Sequence, residues 1–146
     1  MSETLVGGCL CGAVRYEARP PKSLHYFCHC TDCRRHGGGA VHAGIAVAAD
    51  SLVVTGSPTV WTKAADSGRT IARHFCSICG SHLFTSPWPA VTRYSIKAGS
   101  LDDPGAFRPR HEIWCKSRVD WWTHELEGFE EGFTRPHGIG ADTPTG

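Results

Sequence analysis

Short alternating runs of apolar and polar residues, cut by turn residues, make up most of this chain. In the run 13–18, Val14 and Tyr16 share one face, and Pro20-Pro21 ends it. In the run 40–48, Val41, Ala43, Ile45 and Val47 alternate among small residues. Glycine and β-branched side chains there disfavour helix, so the run predicts a buried strand. The runs 24–27, 52–55, 59–63, 70–75, 81–85 and 93–98 have the same character, and 111–114 is expected as the last core strand. The only helical signal is a short turn after residue 30, capped by Thr31 or Asp32 and limited by Gly37-Gly38-Gly39. Eight or nine short strands describe a mainly β domain. Glycine, proline and small polar residues dominate beyond residue 131. The expected organisation is one domain over 1–131 and a loose tail over 132–146.

Composition narrows the partners. The 146 residues suit a single domain with a real core. Lys and Arg total 15 against 14 Asp and Glu, a formal charge of +1, which argues against a nucleic-acid or anionic-membrane binder. No apolar run approaches the ~18 residues of a membrane span. The first residues lack the basic and apolar regions of a secretion signal, so the expected location is cytoplasmic.

Cysteine usage changes the picture most. Seven of the eight cysteines fall in tight groups: Cys9 and Cys11, then Cys28, Cys30 and Cys33, then Cys76 and Cys79. Without an export signal, such groups point to metal, zinc above all, rather than disulfides. Two pairs and a triplet divide most simply into four plus three. The pairs would close a structural site, although the triplet could instead partner either pair. Cys28, Cys30 and Cys33 have no fourth ligand nearby in sequence, which suits a catalytic site with an open position. Cys115, His29, His36 or His111 could each close it from a distance. A redox thiol group is the third option for the triplet.

Several other residues bear on that site. Arg34 and Arg35 could offset thiolate charge or hold a carboxylate. Asp32 is either a capping residue or a proton shuttle. His29 is expected to point away from the metal, Cys115 to be inert, and Trp114, Trp121 and Trp122 to pack in the core or at a rim. His111 and Glu112 could form a hydrogen-bonded pair or face the metal. Asp102 and Asp103 are turn formers before Pro104.

The ordered motifs Gly8-Cys9-Leu10-Cys11-Gly12, Cys28-His29-Cys30-Thr31-Asp32-Cys33 and Cys76-Ser77-Ile78-Cys79-Gly80 complete the pattern. With Gly99-Ser100-Leu101-Asp102-Asp103-Pro104, they resemble the glutathione-dependent formaldehyde-activating family, which includes the centromere protein V group. The resemblance spans roughly residues 5 to 122. It implies a β-tent (Mss4-like) fold of small antiparallel sheets stapled by a four-cysteine zinc. By that match Cys9, Cys11, Cys76 and Cys79 would hold the structural zinc, and Cys28, Cys30 and Cys33 a second one. The implied activity is that of a carbon–sulfur lyase acting on a thiol–aldehyde adduct such as S-hydroxymethylglutathione, with glutathione and formaldehyde as partners. Asp32, His36 and His111 are the candidates for its proton steps. The alternative is a non-catalytic zinc-stabilised module that binds a protein or nucleic acid.

Overall fold

The computed structural model describes residues 3–122. The expected tail over 132–146 lies outside the described residues, as do 123–131. Ten strands and one short helix follow in order: β1 (Leu5–Gly8), β2 (Arg15–Ala18), β3 (Leu24–Cys28), α1 (Thr31–Gly37), β4 (His42–Ala48), β5 (Leu52–Thr55), β6 (Thr59–Ala64), β7 (Thr70–Phe75), β8 (His82–Pro87), β9 (Arg93–Lys97) and β10 (His111–Ile113). The fold is mainly β, as the alternation predicts. No helix among the described residues is long and apolar enough to cross a membrane.

Two sheets share the strands. A small one has the order β1-β2-β5, and a larger one the order β10-β3-β4-β9-β8-β7-β6. All pairings are antiparallel except β10 on β3. Between the sheets, Leu5, Tyr16 and Ala18 of the small one meet Ile45, Val47, Phe84 and Ile96 of the large one, all buried. Tyr16 stands edge-on to Phe84 at 5.1 Å, and its hydroxyl pairs with Ser100 Oγ at 2.7 Å. A tyrosine can thus be buried here at no cost in unpaired oxygen.

Side chains alternate across a strand, so the larger sheet has a second face. Register puts Cys28 beside His42, Tyr26 beside Gly44, Gly44 beside Lys97, Ser95 beside Thr85, and Thr85 beside Arg73. This face carries the polar and thiol chemistry. Gly44 sits in its middle for want of room: a Cβ would come within 2.6 Å of His42 Nε2, 2.7 Å of Ser95 Oγ and 2.8 Å of the Tyr26 ring. Gly44→Ala is therefore expected to cost about 1–3 kcal/mol by overpacking, read as a lower urea midpoint with unchanged slope. An unchanged midpoint would mean that the His42, Ser95 and Tyr26 side chains move freely.

Three local expectations are corrected. No strand was expected before residue 13, yet Leu5–Gly8 forms β1, where Gly7 lies flat beneath the Tyr16 hydroxyl and the Ser100 carbonyl, each 2.4 Å from where a Cβ would be. β10 is not a core strand. It pairs on one side only and is exposed throughout. The cap of α1 is Cys30, whose Sγ accepts the Cys33 N–H at 3.2 Å, not Thr31 or Asp32.

Candidate metal centres and cleft

Two cysteine clusters form, divided four and three. Cys9, Cys11, Cys76 and Cys79 bring their sulfurs within 4.8 Å of one another. Each pair occupies a tight turn, closed by Gly12 N–H to Cys9 O (3.2 Å) and Gly80 N–H to Cys76 O (2.9 Å), with both glycines at positive φ. Backbone N–H groups aim at the sulfurs: Val14 at Cys9 (3.2 Å) and Ile78 at Cys76 (3.4 Å). The Ser81 hydroxyl, 3.2 Å from Cys79 Sγ, pulls that thiol down to about 5, and it also accepts the Leu10 N–H, tying one turn to the other. A tetrahedral zinc with Zn–S of ~2.3 Å needs sulfurs about 3.8 Å apart. Cys9–Cys11 at 3.6 Å and Cys11–Cys76 at 3.8 Å fit that ion.

Cys28, Cys30 and Cys33 form the second cluster, also within 4.8 Å. β3 ends at Cys28, and the first turn of α1 turns Cys30 and Cys33 back toward it. Cys30 is pulled down to about 2 by hydrogen bonds from the Cys28 and Cys33 thiols, with the Cys33 N–H and the Arg73 charge adding to them. Cys28 is pushed up by hydrogen bonding to the Cys30 and Cys33 thiols and by burial. One thiolate is favoured here, at Cys30, and three soft donors on one side suit a borderline metal such as zinc.

No fourth Cys, His, Asp or Glu among the described residues joins the triplet. His29 turns away, as expected, and its Nε2 lies 2.9 Å from Glu112 Oε1 while its ring packs against Trp122. His36 packs at a tilt against His82, ring centroids 4.2 Å apart, and burial, with the His82 charge, pulls it down to about 4. Cys115 and His111 are exposed outside the cluster. Glu112 thus serves His29 rather than His111.

Over the triplet opens a cleft of about 400 Å³. Tyr26, His42, Ser95 and Thr85 line its sheet side, together with Arg73. Tyr26 OH and Ser95 Oγ are 2.5 Å apart, and His42 Nε2 is 3.2 Å from the same Ser95 oxygen. Burial pulls His42 down to about 3, so its ring is neutral at pH 7. Asp32 stands at the entrance, its Oδ2 accepting from Lys63 Nζ at 3.0 Å. Opposite, Trp114 adopts φ 58° and ψ 37°, a left-handed conformation rare for a bulky residue. The kink brings Trp114, Lys116 and Ser117 to the cleft wall, with Lys116 Nζ over the Trp114 ring at 5.2 Å. Trp122 packs on Phe27, and Trp121 is exposed. Among the described residues, Arg69, Arg73, Arg93 and Lys116 line the cleft against only Asp32 and Asp66, which suits an anionic guest.

The three thiols and Asp32, singled out from the sequence, line this cleft; Tyr26, His42, Arg73 and Ser95 line it too and were not singled out. A polar residue inside a strand that otherwise reads as buried, such as His42 or Arg73, is the signal that was available.

Comparison with known proteins agrees with this architecture. The family model described as glutathione-dependent formaldehyde-activating enzyme matches residues 4–117. A protein of Halomonas elongata named "Putative glutathione-dependent formaldehyde-activating enzyme" is 36% identical over 136 residues, covering 87% of this chain and 83% of its own. The crystal structure of a Rhodobacter sphaeroides protein superposes with a TM-score of 0.56 at 20% identity, covering 73% of this chain and 98% of its own, a likeness of fold.

Proposed function

Because this chain belongs to the glutathione-dependent formaldehyde-activating enzyme family, we propose that it is a zinc-dependent enzyme of the carbon–sulfur lyase type. Its substrate would be a small thiol–aldehyde adduct such as S-hydroxymethylglutathione, made from or split into the thiol and the aldehyde. The observation that carries this reading is the cleft above Cys28, Cys30 and Cys33, with no fourth protein ligand among the described residues. A metal there would be exposed to a guest rather than sealed by the fold. Zinc held by these three thiolates would supply Lewis acidity that favours the thiolate form of an incoming thiol.

The chain's own groups do the remaining work. Arg69, Arg93 and Lys116, exposed along the cleft, hold the carboxylates of an acidic thiol. Lys63 fixes Asp32 through Oδ2, leaving Oδ1 to take the proton that the thiol releases. Trp114 and the cleft walls position the two reactants together, which removes much of the entropy cost of a bimolecular step.

The reaction equilibrates without the protein, so the test is a rate. Exchange NMR on a mixture of thiol, formaldehyde and adduct should show faster exchange with wild-type protein, greatest for glutathione among glutathione, cysteine, cysteamine and 2-mercaptoethanol. A zinc-stabilised docking module would leave all four at the uncatalysed rate. Asp32→Asn should slow the exchange by about 100-fold, within the usual range for a lost acid–base group, with zinc content unchanged. Unchanged exchange would return Asp32 to a surface partner of Lys63.

A further inference from the structure

Arg73 is a buried cation with no carboxylate partner among the described residues. Its residue is 3% exposed on β7. Its Nε, wholly covered, has no hydrogen-bond partner, so not even a cysteine sulfur satisfies it. Burying a guanidinium in this way is costly and calls for a compensating charge.

The triplet supplies only part of that charge. Three thiolates and one zinc carry a formal charge of −1. Both Arg73 and Lys97 act on these thiols electrostatically, so two cations face one negative unit. Of the two, Arg73 lines the cleft above the triplet and Lys97 does not. The surplus positive charge is thus presented where a guest sits. A second buried group there also lacks a partner: His42 Nδ1, on a ring whose other nitrogen is held by Ser95.

We propose that Arg73 is a catalytic residue whose guanidinium receives the aldehyde oxygen as it becomes an alkoxide, with His42 Nδ1 beside the same oxygen. This rests on the thiol–aldehyde reading of the cleft. In the step, the thiolate sulfur gives an electron pair to the aldehyde carbon and forms the C–S bond. The C=O π pair moves onto oxygen, and the alkoxide takes up the proton that the thiol gave up. Nothing is oxidised or reduced, and the reverse step breaks the same bond. Depth separates Arg73 from the other cations. Arg69, Arg93 and Lys116 are exposed and suit carboxylates several bonds from sulfur, whereas Arg73 is buried with the reacting group. A preorganised donor for a developing oxyanion is the kind of group whose loss shows in turnover rather than in binding.

The test compares Arg73→Gln and Arg73→Lys with wild type by exchange NMR, zinc content and glutathione affinity without aldehyde. Arg73→Gln should lower kcat by ~100-fold or more with zinc and thiol affinity unchanged, and Arg73→Lys should recover part of the loss. Formate, a small planar oxyanion, should inhibit the wild type competitively against formaldehyde and not against glutathione, a readout that needs no variant to fold. Loss of thiol affinity at unchanged kcat, or formate competing with glutathione, overturns the proposal and makes Arg73 a carboxylate anchor. Loss of zinc overturns it in favour of a charge partner for the metal. If wild-type protein accelerates exchange for none of the four thiols, the proposed function itself fails and this inference with it. Normal wild-type exchange with undiminished kcat in Arg73→Gln removes the inference alone.

Discussion

Cys76→Ser is expected to unfold the domain or lower its melting temperature by more than ~10 °C, the largest effect of any substitution considered. Cys76 is 1% exposed and belongs to the core cluster, and its partners Cys9 and Cys11 follow β1 directly. The four-thiol site therefore pins the small sheet to the turn between β7 and β8. Structural zinc in small peptides contributes roughly 10–16 kcal/mol at neutral pH, and this is folding free energy. Losing a third of it removes ~4 kcal/mol, a large part of the ~5–15 kcal/mol that holds a typical domain. At ~3 °C per kcal/mol for a chain of this size, the melting curve moves by the amount stated. Circular dichroism with temperature checks it. A melt identical to wild type would mean that the core between the sheets suffices and that the thiol cage is incidental.

Cys30→Ser is expected to do the opposite: abolish activity and leave the fold. Cys30 is half-buried, and its structural task is to cap α1 by accepting the Cys33 N–H. Serine is a favoured residue for that task, so the helix keeps its cap. What serine cannot supply is the soft thiolate that favours a borderline metal. Turnover should fall by at least ~10³-fold, about 4 kcal/mol of transition-state stabilisation, with a melting shift of no more than a few degrees. Exchange NMR and a thermal melt on one preparation decide the matter. Residual activity above a tenth of wild type would remove Cys30 from the reacting centre.

The two variants differ because the seven thiols differ in surroundings, and the sequence revealed the thiols better than the surroundings. Cysteine spacing is a local feature, so the two pairs and the triplet could be read before any strand was placed; four plus three was their simplest division, and the joining of the pairs across 65 residues came from the fold. Alternation in 40–48 likewise located β4, since Ile45 and Val47 occupy its core side. The other side of the same strand was not legible. His42 and Ser95 are 53 residues apart, and Tyr26 and Ser95 are 69 apart. Only the order β3-β4-β9-β8-β7 makes them neighbours. That order depends on long-range pairing, which single-chain periodicity does not encode. β10 misled for a related reason. Its run of His111, Glu112 and Ile113 looks like a strand, yet nothing local says that it lies parallel to β3 at an edge, where Glu112 can reach His29. Asp32 was legible as a residue, while its tie to Lys63 on β6 was not.

The division of seven thiols into a scaffold site and a reacting site is tested most directly by metal content per chain, in wild type and in Cys30→Ser. Two zincs per chain in wild type, falling to one in the variant with the circular dichroism spectrum retained, is the predicted result. One zinc in both proteins, or a variant that loses its fold along with its metal, would contradict it.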